Sequence, residues 1–164
     1  MTVAEVNAEG FRDAMAQLPG PVSVITAQAG SRPHGTTVSA VISLSLTPPM
    51  VLVSLDRRSD LLAIIADTRT FGVNVLSASQ IDLALRFAGK GAGKFDGVAC
   101  DLVDGAPRLP DTSAWLRCTV SDLVDGGDHV VVLGAVTGAD SAPVTPLIYH
   151  ARTFGTHTPL TCWH

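Results

Sequence analysis

Two long runs of apolar and β-branched residues, Ala114–Val124 and His129–Gly138, flank the tripeptide Asp125-Gly126-Gly127, and this arrangement restricts the fold most. Glycine reaches positive φ at no steric cost, so such a tripeptide reads as the tight turn of an antiparallel hairpin. Parallel neighbours would need a long crossover between them. Strand-like runs recur upstream at Val22–Ala27, His34–Leu46, Met50–Leu55 and Phe71–Leu76, and a last one is expected at Leu147–Phe154. Within His34–Leu46, strict alternation would put Ser39, Val41, Ser43 and Ser45 on one face.

Helical signals are few and short. Val3–Leu18 carries apolar residues at roughly helical spacing and stops at Pro19-Gly20. Ser59 can cap a helix running through Ala66, and Ser79 one over Gln80–Ala88. Strand, helix and strand do follow one another from Met50 to Leu76, as in a doubly wound sheet. The C-terminal third offers strands without helices, however, which favours a mainly β chain forming an antiparallel Greek-key barrel with a few flanking helices. At 164 residues, with no repeat, linker or low-complexity run, residues 1–164 are expected to form one domain with a core near 11–154.

Composition narrows the partners. Apolar residues make up 46% of the chain and charged ones 16%, which excludes disorder and favours a buried subunit interface. A net charge of −4 argues against nucleic acid or an anionic membrane surface. No apolar run approaches the roughly 18 residues of a membrane span, and no signal sequence is evident at the N-terminus. Cys100, Cys118 and Cys162 are odd in number and widely spaced, as expected of reduced thiols in a cytoplasmic protein.

The commonest reagent-bearing motifs are missing. Gly89-Lys-Gly-Ala-Gly-Lys94 resembles a phosphate loop only superficially: Ala88 and Phe95 stand where a glycine and a magnesium-binding hydroxyl belong, and the loop follows a helix. It reads as a flexible connection. No Gly-x-Gly-x-x-Gly fingerprint, Gly-x-Ser-x-Gly elbow or metal-ligand spacing among the five histidines occurs, so no metal is expected. What remains is the hydroxyl-rich stretch from Gly35 to Ser45. It is either a solvated strand face or a neutral wall for a flat heteroaromatic ligand whose ring edge needs N–H and O–H partners. Ser54-Leu-Asp-Arg-Arg-Ser59 ends a strand and opens a helix, a junction that is either an ordinary cap or an anion site. His129, beside the hairpin turn, is either solvated or a contact for a charged substrate.

In this order, the segments His34-Gly-Thr-Thr-Val-Ser-Ala40, Ser43-Leu-Ser-Leu-Thr-Pro-Pro49, Asp56-Arg-Arg-Ser59, Phe71-Gly-Val-Asn-Val-Leu76, Arg86-Phe-Ala88, Lys94-Phe95, Gly127-Asp-His129 and Pro146-Leu-Ile-Tyr-His150 resemble the flavin reductase family over about Phe11–Phe154. The resemblance implies an FMN-binding split barrel, an NAD(P)H:flavin oxidoreductase, and a homodimer that supplies reduced FMN or FAD to a two-component monooxygenase. It implies that Thr37, Val38 and Ser39 line the isoalloxazine. Ser43 and Ser54, Leu55 and Asp56 would flank the ring and ribityl chain. The helix-end pair Arg86-Phe87 would serve the cofactor, with Ser59, Arg86 and Arg58 at the phosphate. His129, with Tyr149 and Arg152, would approach the nicotinamide of NADH or NADPH. Hydride would pass from nicotinamide C4 to flavin N5, His129 placing the nucleotide, with no side chain required as an obligatory acid or base. A flavin carrier or sensor, or an oxidoreductase acting on another substrate, is the alternative use of such a barrel.

Overall fold

The computed structural model describes residues 7–161. The start of the expected first helix, Val3–Val6, and Cys162 lie outside them. In chain order the elements are α1 (Ala8–Ala16), β1 (Gly20–Pro21), β2 (Ser23–Ala29), β3 (Arg32–Val38), β4 (Val41–Leu46), β5 (Pro49–Asp56), α2 (Asp60–Thr68), β6 (Thr70–Val75), α3 (Ile81–Ala88), β7 (Asp101–Val103), β8 (Ala106–Arg108), β9 (Ala114–Gly126), β10 (His129–Ser141), β11 (Ile148–His150) and β12 (Thr153–Gly155).

Seven strands form one antiparallel sheet in the order β3-β2-β6-β9-β10-β5-β4. Its edges, β3 and β4, are consecutive in the chain. No ladder closes them, yet Val38 on one and Val41 on the other pack on the same core, so the sheet curls into a split barrel. The long hairpin is β9–β10, tightened to a turn at Gly127-Asp128 with Gly127 at φ 71°. The strand–helix–strand run does not make a parallel pair, because β9 and β10 separate β5 from β6.

Alternation sorts the side chains. On β5, Val51, Val53 and Leu55 point into the barrel opposite Gly134, Val132 and Val130 of β10, and meet Ile25, Phe71, Val73 and Cys118 there. A second core lies on the other side of β2, where Val22, Val24, Leu76, Ala84, Phe87, Leu109 and Leu147 gather beneath α3. Because β2 is covered on both faces, Ser23 through Ala27 are all buried. The β7–β8 hairpin, absent from the sequence reading, is tied down by Asn74. Its amide donates to Val24 O and Thr26 Oγ1 and accepts from the Leu109 N–H at 2.8 Å.

Two departures from simple alternation matter. The run His34–Leu46 is two strands, because the chain turns at Ser39-Ala40. A register shift between Ser43 and Ser45 then puts Ser43 opposite the inward Val51 and Ser45 opposite the outward Met50, so the four residues expected on one face do not share it. Leu147–Phe154 likewise becomes a short hairpin, with Ala151 and Arg152 at positive φ in the turn. That hairpin and β1 form a separate three-stranded sheet, which the Ala151 N–H ties to Ala16 O of α1.

Candidate functional site

One open cavity of about 570 Å³ lies where three loops converge. Its walls are the first half of β3 (Arg32–Thr36), Asp56 at the end of β5, the entry to α2 (Arg58–Leu61) and the segment Ala88–Phe95 that follows α3. Such a volume suits a small organic ligand.

The α2 wall is built for an anion. Asp60 begins the helix, so its first-turn N–H groups have no intrahelical partner. Ser59 holds the N-cap position with a hydroxyl that makes no cap bond. Asp56 folds the preceding turn: its carboxylate accepts from the Arg58 backbone N–H at 2.8 Å and from Nε and Nη2 of Arg58 at 3.2 and 3.0 Å. These bonds hold the Asp56 carboxyl at about 2, well under its usual 3.8. The guanidinium of Arg58 remains largely exposed on its other edges.

Next to it the hairpin tip is clamped to the same turn. Arg57 donates from Nη2 to Asp125 at 2.9 Å, and its N–H reaches Asp128 O at 3.0 Å. His129 lies opposite Asp56 in the β10–β5 register. Its Nδ1 is 2.7 Å from Asp128 Oδ1, a bond that lowers the Asp128 carboxyl below its ordinary range.

Beyond the cavity lining the residues are neutral. Thr37 and Val38 finish β3, Ser39 follows in the turn, and Ser54 precedes Asp56 on β5 by two residues. The Ser54 N–H donates to Ala40 O at 3.1 Å, bringing the Ser39-Ala40 turn against β5. Of the expected site residues, Asp56, Arg58 and Ser59 line the cavity, whereas Ser39, Ser54 and His129 lie outside its lining, the last two on the β5–β10 pair beside Asp56.

Other expected contacts are placed elsewhere. Leu55 and Phe87, 2% and 0% exposed, are core side chains and could offer a ligand only backbone. The Thr37 hydroxyl is already used, donating to Ala84 O of α3 at 2.7 Å. Arg86 does not join Ser59 and Arg58: its guanidinium donates to Asp96 O at 2.7 Å, beside a separate shallow hollow lined by Asp82 and Val98. Ser43 lies opposite Val51 on β4, outside the cavity lining. Tyr149 packs on Phe154 in the small sheet, and Arg152 pairs with Asp13 of α1 at 2.6 Å. Neither is on the sheet that carries His129.

Conversely, the cavity includes residues that the sequence reading did not assign individually. His34, with Gly35 and Thr36 at the start of the expected hydroxyl-rich wall, forms one side. The loop Gly89–Lys94 forms another, with Gly91 and Gly93 at φ 98° and 83°. The cluster of glycines was the available signal, and it was spent on excluding a triphosphate loop. Among the described residues, no group of three His, Cys, Asp or Glu side chains could hold a metal ion, and no helix is long and apolar enough to cross a membrane.

The family model of the flavin reductase like domain matches residues 15–158. The chain belongs to this family. It is 41% identical over 163 residues to a Streptomyces pristinaespiralis protein named NADH:riboflavin 5'-phosphate oxidoreductase, covering 95% of this chain and 92% of that one. It is 38% identical over 149 residues to the reductase component of a 4-nitrophenol 4-monooxygenase/4-nitrocatechol 2-monooxygenase of Rhodococcus opacus, covering 91% and 80%. Among solved structures, the Streptomyces globisporus C-1027 NADH:FAD oxidoreductase in complex with NAD and FAD fragments superposes with a TM-score of 0.90 at 30% identity over 99% of each chain. The open seven-stranded sheet is thus the family's barrel, and the sequence resemblance is borne out.

Proposed function

We propose that this protein is an NADH-dependent flavin reductase that delivers reduced flavin to a partner monooxygenase. The observation that carries this reading is the cavity at the entry of α2, where the Ser59 hydroxyl and the first-turn N–H groups suit a phosphate, with the hydroxyl-bearing Ser39 and Ser54 brought near one another beyond its lining by the Ser54-to-Ala40 bond. A flavin nucleotide has the same polarity, with a phosphate at one end and an uncharged ring at the other. The donor set fits it: the Ser59 hydroxyl and the free N–H groups of α2 are donors without intrachain partners at the phosphate end.

A bound flavin supplies the redox chemistry, accepting a hydride at N5 from C4 of reduced nicotinamide. The chain's share is placement and polarity. Ser39 and the Ser39-Ala40 backbone would hold the ring edge, and Ser54 with Asp56 the ribityl hydroxyls. Arg58 and Ser59 would take the phosphate. His129, across the strand pair from Asp56, would orient the nicotinamide nucleotide over the ring, which asks for hydrogen bonding and not for proton transfer.

Three arginines that could serve a 2′-phosphate are each matched with a carboxylate: Arg57 with Asp125, Arg58 with Asp56 and Arg152 with Asp13. Asp128 adds a further negative charge beside His129. NADH, the donor in the names of the similar oxidoreductases, is the preferred donor.

The functional unit is a homodimer. Outward-facing Met50, Leu52, Val131, Leu133 and Val124 form one apolar face of β5, β10 and β9, and exposed Ile42 and Leu44 extend it on edge strand β4. Helices α2 and α3 pack instead on β2 and β3. A mostly apolar face of this kind, interrupted by Asp122 opposite Leu133, marks an interface, and His129 and Ser54 lie at its border. A cytoplasmic site of action suits the free thiols of Cys100 and Cys118.

The test is turnover. Purified protein is mixed with NADH or NADPH and catalytic or excess free FMN or FAD, and nicotinamide oxidation is followed. Rapid NADH oxidation that saturates with added flavin supports the reading. Tight binding of flavin without nicotinamide oxidation would make the protein a carrier.

A further inference from the structure

We propose that Lys94 is a positioning residue that holds the glycine-rich loop Gly89–Gly93 closed against β3 and so sets the shape of the phosphate end of the flavin groove. The inference rests on that groove being the flavin site. Lys94 Nζ donates to Gly35 O of β3 at 3.2 Å and to Phe87 O in the last turn of α3 at 3.0 Å. One ammonium thereby ties the loop to two neighbours, strand β3 and the last turn of α3. Phe87 O is among the carbonyls that a helix end leaves without a partner, and a cation there also meets the negative end of the helix dipole.

The surroundings show how closely this joint is made. Gly35 packs directly on the Phe87 and Phe95 rings, whose centroids are 4.8 Å apart; a Cβ on Gly35 would come within 3.0 Å of Phe87 and 3.2 Å of Phe95. No side chain separates strand from loop, so the ammonium can reach both carbonyls. Lys94 forms no ion pair among the described residues, and burial pushes its pKa down, with the charge of Asp60 opposing. A partly buried ammonium set on two neutral carbonyls, with no carboxylate partner, fixes geometry more than it pairs charge. Two residues beyond Lys94, Arg86 holds Asp96 O, a second bond that ties the chain after the loop back to α3.

Lys94→Met keeps the aliphatic stem and removes all three donors. Hydrogen exchange of the peptide spanning Gly89–Gly93 is read in the flavin-free protein, together with FMN affinity from flavin fluorescence, kcat and KM. The expected result is faster exchange confined to this loop, with FMN Kd and KM raised about tenfold, the loss of charged hydrogen bonds at a binding wall. The fall in kcat should be much smaller. Lys94→Arg, which keeps a cation with several donors, should restore most of the affinity. Should Lys94→Met fail to fold, Lys94→Gln, with one carboxamide donor group, must give the same pattern in weaker form. Unchanged exchange would overturn the proposal, and so would faster exchange with FMN affinity intact. Wild-type turnover of NADH with free flavin is recorded alongside. If wild type does not turn over, the reductase reading fails by itself, and the exchange data still decide whether Lys94 orders the loop.

Discussion

At the scale of single residues, the entry to α2 shows how charge is committed before any ligand arrives. Arg58 holds the Asp56 carboxyl at about 2, so this group stays ionised at any pH at which the enzyme would work. The sign is that of a depressed carboxylate: its stabilising contribution is complete above the ordinary 3.8 and is lost as pH falls from there through about 2. Arg58→Ala should therefore move the Asp56 titration, followed by carboxyl NMR, back up toward 3.8; an unmoved titration would mean that another group sets it. The same substitution should weaken FMN more than riboflavin, which lacks the phosphate. His129→Ala should raise KM for NADH about tenfold or more while leaving FMN affinity within about twofold, as expected for loss of a nucleotide contact. Unchanged KM and hydride-transfer rate would remove His129 from the site.

At the scale of elements, legibility followed the range of the forces involved. The β9–β10 hairpin could be read because glycines fix its turn locally, and α2 and α3 because apolar spacing does the same, although Ser59 makes no cap bond and Gln80, not Ser79, holds the N-cap position of α3. The break at Ser39-Ala40 and the β4 bulge could not, because they arise when two sheet edges curl over one core. Arg86 shows the corresponding limit in the site. Its guanidinium goes to Asp96 O because the loop returns past the end of α3, a contact that residue type does not encode. Lys94 was given no role for the same reason, although Lys94-Phe95 was part of the recognised pattern. Two substitutions test the element packing. A Cβ at Gly134 would lie 2.5 Å from the buried Phe71 ring and 3.2 Å from Cys118 Cβ, so Gly134→Ala should cost about 1–3 kcal/mol by overpacking. Asn74→Ala strips the buried Leu109 N–H of its acceptor and should cost about 2–3 kcal/mol. Denaturant unfolding reads both, and a neutral result at either site would contradict the packing described.

At the scale of the whole molecule, one curled sheet explains why binding residues from distant parts of the chain meet. The split between β3 and β4 leaves an opening, and the Ser54-to-Ala40 bond, the α2 entry and the β9–β10 turn all lie around it. The apolar face beside that opening predicts a dimer whose loss should reach the flavin site. Leu133→Glu, on the outward face of β10, should shift the protein to monomer in light scattering and reduce flavin turnover with it. A mutant that stays dimeric would place the interface elsewhere. The central claim, that flavin lies along the groove with its phosphate at α2, is tested most directly by a crystal structure with FMN bound. The account predicts phosphate density at Ser59 and the first-turn N–H groups of α2, with the ring against Ser39-Ala40 and Ser54. FMN bound at any other place, or a groove left vacant at saturating FMN, would contradict it.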